Sequence, residues 1–386
     1  MAAIAGNHTA STAAGMVDDE QTRPLVYVYA MPPAFNLYLE GDSMERNTGW
    51  WLWRALLNST HRTLQPDKAH FFYVPVFPMV MNEHVLLDAL TYLRRKWPYW
   101  NTTRGNNHLV VGAWDFGLSF VAGRPEFERL VQLSHFGWVN VTRKWQTTPD
   151  GRCPAWAGGT ERMYTEAPAD PNKCKSFAVT VYPQGGPHRR GIDLVIPDIM
   201  EQRFKLPGTE FVDFPVERTT RVFFSGAFTN IWRAEVHRLH ANVTGWRVIR
   251  GRMDLAREMA SAQFCLDVGG AGFSTRFALA MVFGCVPVYL DELEPPWIDV
   301  LPLDDFSVRF GPEDIPRLPA IIDSLAPEKV AQLQRGVRIH RKAYHWATMF
   351  GPDAYSLKDP DDDPYARDAF ATLMTALAQR VLPARQ

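Results

Sequence analysis

Ala262-Gln-Phe-Cys-Leu-Asp-Val-Gly-Gly-Ala-Gly-Phe-Ser-Thr-Arg276, followed without a break by Phe277-Ala-Leu-Ala-Met-Val-Phe-Gly-Cys-Val-Pro-Val-Tyr-Leu290, decides the fold. An apolar run, a glycine-rich turn, an apolar helix closed by Gly284 and a second apolar run make one βαβ unit, with its turn at a strand's carboxyl end. Gly269 and Gly270 let main-chain N–H groups approach an anion closely, and the following helix is expected to point its positive end there. Arg276, in the first turn of that helix, adds a guanidinium that can fork onto phosphate oxygens. Ser274 stands where an N-cap belongs, and its hydroxyl could serve the helix or a phosphate.

The same alternation continues outward in both directions. Upstream lie the strand Arg221-Val-Phe-Phe-Ser-Gly-Ala227, a helix from Trp232 to His240 and the strand Trp246-Arg-Val-Ile-Arg250. Downstream, Phe306 to Phe310 adds a strand and Ile315 to His345 is mainly helical. In the first half, Leu25 to Met31, His70 to Phe77, His108 to Trp114 and Asp193 to Pro197 read as strands, with helical periodicity from Asn82 to Trp97. Strands alternating with helices mean an α/β fold with parallel sheets. A chain of 386 residues exceeds what one core usually serves, so two domains are expected. The predicted division is a disordered segment 1–23, a first Rossmann-like domain 24–213, a second at 214–350, and a polar linker with a terminal helix at 351–386. Within the first domain, 147–190 is an irregular excursion. Open α/β halves bind ligands at the carboxyl ends of their strands, which places the site in a cleft between them.

The charge balance, 41 basic against 42 acidic residues, gives no electrostatic reason to bind nucleic acid or an anionic membrane. No apolar run approaches the roughly 18 residues needed to span a bilayer, and the first residues lack an apolar signal core. Five of the twelve asparagines begin a glycosylation sequon, namely Asn7, Asn58, Asn101, Asn140 and Asn242, which favours the secretory lumen. The four cysteines offer two pairings. Cys153 and Cys174 flank a polar loop that a disulfide could staple. Cys265 and Cys285 begin neighbouring strands, either as a second disulfide or as small buried apolar residues.

These segments, taken in order, resemble the exostosin-like glycosyltransferases, and more their plant and algal branches than the animal ones. The matching stretches are Val26 to Asn36, Leu57 to Thr63, Pro66 to Phe77, Pro98 to Asn101, Asn107 to Gly117, Asp193 to Pro197, Arg221 to Gly226 with Arg233, and Phe264 to Asp291. The resemblance implies a GT-B architecture, two Rossmann-like domains facing a central cleft, with the nucleotide-sugar held mainly by the second and the acceptor by the first. It further implies an inverting enzyme that uses UDP-sugars on a glycan or glycoprotein acceptor in the Golgi lumen. Such enzymes are anchored by an N-terminal membrane helix, a segment this sequence does not contain, and complexes with another glycosyltransferase are conceivable. Where many relatives carry a ribose-binding glutamate three residues after the arginine, this chain has Leu279, so Asp291 or Glu292 could substitute. Leu279 also lends weight to the alternative of a catalytically inactive carbohydrate-binding relative.

Inverting sugar transfer needs a base for the acceptor hydroxyl and positive charge for the departing diphosphate. Asp115, directly after the strand His108 to Trp114, is the leading base, with Asp193 and Asp198 as further candidates. Arg276 and Arg233 are the candidates for the leaving group, with Gly226, Gly269 and Gly270 as close-approach positions. No metal or other cofactor is expected, because the Asp-x-Asp patterns of 358–364 follow no apolar strand that could aim them at a diphosphate. Trp50, Trp51, Trp53, Tyr99 and Trp100 read as core before sugar platform, Trp297 is a modest candidate near the donor, and His70 and His108 read as structural.

Overall fold

A computed structural model describes residues 23–35, 47–77, 83–113, 117–118, 121, 124–135, 137–139, 188–199, 218–227, 230–251, 255–270, 274–350 and 367–381. Two parallel sheets organise them. The first joins β1 (Val26–Val28), β2 (Arg62–Thr63), β3 (Phe71–Tyr73), β4 (His108–Gly112), β5 (Val131–Ser134) and β6 (Leu194–Val195) in the order β2-β1-β3-β4-β5-β6. The second joins β7 (Thr220–Gly226), β8 (Trp246–Arg250), β9 (Ala262–Asp267), β10 (Val286–Leu290) and β11 (Val308–Phe310) in the order β11-β10-β9-β7-β8. Every registered strand pair is parallel.

The sheets explain the near-continuous apolar runs, since strands covered on both faces need no alternation. On one face of the first sheet the helix Glu83–Lys96 lays down Leu86, Ala89, Leu90 and Leu93, a helical spacing, against Phe72, Val74 and Val110. Burying each such leucine contributes about 1.5–3 kcal/mol. A second core runs from the other face of that sheet through Trp138 into the whole second domain. The helix Arg276–Val282 closes as the sequence indicates: Gly284 takes φ +71, and Cys285 N–H donates to the Ala280 carbonyl at 2.8 Å. Cys265 and Cys285 form a disulfide, with their Cα atoms 5.8 Å apart, so the pairing alternative holds over that of free thiols.

The domains are joined at the carboxyl edges of both sheets. Trp138, just beyond β5, stacks on Trp232 with ring centroids 5.6 Å apart and makes an antiparallel bridge to Leu293, just beyond β10. Main-chain bonds flank that bridge: Val139 N–H donates to Glu292 O at 3.1 Å, and Glu294 N–H to Gly137 O at 2.8 Å. Between them His188 and Arg190 bond the buried Glu294 carboxylate. Burial works to raise that carboxyl, but the His188 hydrogen bond and the charges of His188 and Arg190 outweigh it and hold it below its ordinary value.

The terminal helix Ala369–Val381 returns to the first domain, where Phe370 meets His61 and Arg380 donates to the carbonyls of Ile192 and Asp193. The segment expected to link the domains near residue 213, the excursion 147–190 up to residue 187, and the linker up to residue 366 lie outside the described residues. Among the described residues no helix is long and apolar enough to cross a membrane.

Candidate active site

The glycine-rich loop leaves β9 at Asp267, whose side chain is fully buried. One carboxylate oxygen accepts from Gly269 N–H at 2.9 Å and from the Ser274 hydroxyl at 2.7 Å; the other accepts from Phe277 N–H at 3.2 Å. Ser274 Oγ in turn accepts from Arg276 N–H at 3.3 Å, but the N-cap position falls one residue later, at Thr275, whose side chain makes no capping bond. The helix that follows has seven residues, and its Phe277 N–H is already served by Asp267. A protein carboxylate thus faces the first turn of this helix.

Positive charge comes from side chains instead. Arg276 Nε and Nη2 donate to the Ser225 carbonyl at 3.0 and 2.8 Å, with the guanidinium 5.7 Å from the centre of the Phe224 ring. Burial pulls this guanidinium below its ordinary value and the nearby Asp267 charge pulls it back up. A guanidinium so placed stays protonated at neutral pH. Arg233, buried on the helix Ile231–His240, donates through Nε to Gly269 O and through Nη1 to Ala227 O at 3.2 Å.

The two guanidiniums converge on Gly226 at the end of β7. A Cβ there would lie 2.8 Å from Arg276 Nη2 and 3.2 Å from Arg233 Nη1. Asn230 braces the pair: its side chain accepts from Arg233 N–H at 2.9 Å and donates to the carbonyls of Val268 and Gly270 at 3.0 and 3.3 Å. Gly269 has φ +68, and a Cβ there would sit 1.9 Å from Trp138 Cζ2, so only glycine lets the first domain press this close. The loop therefore faces the junction between the domains.

The remaining expected residues divide. Asp193 is fully buried and accepts from Gln132 N–H, Arg189 N–H and the Arg189 guanidinium. Both of its oxygens thus brace β5 against the turn before β6. Asp198 is buried just past β6. Asp291 is exposed at the end of β10, Glu292 is buried and main-chain-bonded to Val139, and Leu279 is fully buried in the second core. Trp297 is core, with Nε1–H donating to Ala343 O at 2.6 Å. His70 accepts from Leu25 N–H, and His108, which burial pushes down to about 3, shares a 2.8 Å bond with Tyr29. Asn58, Asn101 and Asn242 are exposed. Asp115, Cys153, Cys174, Asn7 and Asn140 lie outside the described residues. Asp267 and Asn230 went unnoticed in the sequence; for Asn230 the signal was an asparagine one residue ahead of an amphipathic helix.

Two parallel-sheet α/β domains meeting at their carboxyl edges, with two guanidiniums clustered on the second, have the GT-B architecture. Residues 20–325 match the model of the Exostosin GT47 domain, and the chain belongs to that family of glycosyltransferases. A "Probable glucuronosyltransferase" of Oryza sativa subsp. japonica is 26% identical over 382 residues, covering 94% of this chain and 80% of that protein. A "Probable beta-1,4-xylosyltransferase" of Arabidopsis thaliana is 27% identical over 359 residues, covering 82% and 75%. Among solved structures, Anabaena HepE in complex with UDP has a TM-score of 0.33 and 11% identity, covering 87% of this chain and 99% of that one. The family assignment rests on the sequence match.

Proposed function

We propose that this glycosyltransferase moves a sugar from a UDP-sugar to a glycan or glycoprotein hydroxyl with inversion, using protein cations in place of a divalent metal. The observation that carries the reading is the convergence of Arg233 and Arg276 beside Gly226, at the carboxyl edge of the second sheet. Preorganised charge at a leaving group is commonly the largest single contribution to such a rate. The acceptor hydroxyl gives its proton to a base as its oxygen bonds to the sugar's anomeric carbon. The bond from that carbon to the diphosphate breaks, and the electron pair leaves with UDP toward the two guanidiniums. Asp115 is the base, supported by its place three residues after β4 and by the engagement of Asp193 with Arg189.

The names of the plant relatives support glucuronic acid or xylose as the sugar, and the family resemblance supports a cell-wall or extracellular-matrix glycan as the acceptor. The buried Cys265–Cys285 disulfide and three exposed sequons support an oxidising, lumenal compartment such as the Golgi. A thermal-shift panel of UDP-sugars on wild type and Arg276→Ala tests the reading. Ligand at 100 times Kd adds roughly 2.7 kcal/mol. Stabilisation by one UDP-sugar that vanishes in R276A supports the assignment; indifference of the wild type to every UDP-sugar ends it. Leu279, buried in the core at the place where the resemblance leads one to expect a glutamate, favours one rival, a binding protein without turnover. Asp115→Asn separates the two: the enzyme loses transfer and keeps UDP binding, whereas the rival has no transfer to lose.

A further inference from the structure

We propose that Asp267 is the positioning residue of the donor site, tying the two ends of the glycine-rich loop together and setting the aim of Arg276 without touching the substrate. The inference rests on the donor-site reading above. Three observations converge on this one carboxylate. It ties the loop at both ends, to Gly269 N–H on one side and to the Ser274 hydroxyl and Phe277 N–H on the other. Through Ser274, which it holds at 2.7 Å, it reaches the main chain of Arg276 itself. Its charge is close enough to offset part of what burial does to the Arg276 guanidinium.

The chemistry requires such a residue. A loop rich in glycine has no side chains to fix its path, and ordering it on ligand binding would cost about 1–2 kcal/mol per residue. A buried carboxylate accepting three bonds fixes both ends of the loop beforehand, which is how preorganisation raises affinity. Satisfying Phe277 N–H internally also leaves the guanidiniums, not the helix end, to meet the diphosphate. The same negative charge opposes the incoming anion, so Asp267 acts by geometry and not by attraction.

Asp267→Asn keeps an oxygen for Gly269 and Ser274 but sets its amide against Phe277 N–H, donor facing donor. Its UDP dissociation constant, measured by calorimetry with UDP alone, is expected to rise about tenfold, the loss of one charge-assisted hydrogen bond. Ser274→Ala, which removes a half-exposed hydroxyl, is expected to raise it about threefold, part of a neutral hydrogen bond's contribution. Because both act through one loop, the double variant should bind no more weakly than D267N alone. UDP affinity within twofold of wild type in D267N, or losses that simply multiply in the double variant, would overturn the inference. If D267N does not fold, an unchanged UDP affinity in S274A overturns it equally. Arg276→Ala run alongside keeps the two readings apart: loss of UDP binding there with none in D267N sinks only this inference, while no loss in R276A sinks the donor site itself.

Discussion

Asp193 and Asp267 are both buried aspartates beside a parallel sheet, and each has an arginine close by. In the first domain Asp193 closes directly on the Arg189 guanidinium, and the two charges cancel within the fold. In the second, Asp267 closes on two main-chain amides and a hydroxyl, while Arg276 turns its fork onto the Ser225 carbonyl. Among the described residues Arg276 makes no ion pair. A guanidinium held by a neutral carbonyl is fixed in place and keeps its charge for a ligand. A guanidinium held by a carboxylate is structural. Under the proposed donor-site reading the contrast separates a brace from a binding group, even though all four residues are of the types that sequence reading marks as functional.

Asp193→Ala should have the largest effect, on stability alone, because it strips the Gln132 and Arg189 N–H groups of their acceptor as well as the part-exposed Arg189 guanidinium, at about 1–3 kcal/mol for each buried donor left unpaired. Urea unfolding reads this directly; a variant with normal stability and lost transfer would reverse the roles assigned to the two aspartates. Arg276→Ala should do the opposite. Loss of one preorganised donor lowers kcat/KM by about 10²–10³-fold, roughly 2.7–4 kcal/mol, with the urea midpoint nearly unmoved. Gly226→Ala places a methyl 2.8 Å from Arg276 Nη2 and must push that guanidinium aside. About a tenfold loss of UDP affinity is expected, equal to roughly 1.4 kcal/mol, and unchanged affinity would mean that the arginines do not meet the ligand there.

A separate effect, confined to acid pH, is on the stability of the first domain. Burial lowers His108 from 6.5 to about 3, so the unfolded chain takes up a proton that the folded one refuses. Its stabilising contribution is therefore complete above pH about 6.5 and is lost as pH falls toward 3, at up to about 1.4 kcal/mol per pH unit. His108→Gln should flatten the fall in unfolding free energy between pH 7 and 5 by that slope, while leaving the pH dependence of UDP binding as it is. A parallel change in binding would tie the two regions together more closely than their separate networks indicate.

The βαβ unit of residues 262–290 was readable because its apolar periodicity, its turn and its closing glycine all pointed the same way. β5 was not. Its Val-Gln-Leu-Ser carries polar residues into a buried strand, tolerable only because Gln132 Oε1 accepts from Leu118 N–H and Asp193 accepts from Gln132 N–H. β2 has two residues, too few for any pattern. At the site, the convergence of Arg233 and Arg276 was legible from two strand-to-helix turns. Asp267 was not, since it sits inside an apolar run and its partners lie two, seven and ten positions onward. Such a residue is recognisable only when the loop has folded back over it.

The helix Ala369–Val381 has a consequence for how this protein comes into being. It seats Phe370 on His61 and Arg380 on the carbonyls of Ile192 and Asp193, groups translated long before it. The surface it covers on the earlier lobe stays open while the later lobe is made, so that lobe is not complete until translation has passed Val381. Nascent chains stalled short of Ala369 would leave His61 and the carbonyls of Ile192 and Asp193 without these contacts, and protease cleavage near them is the expected sign.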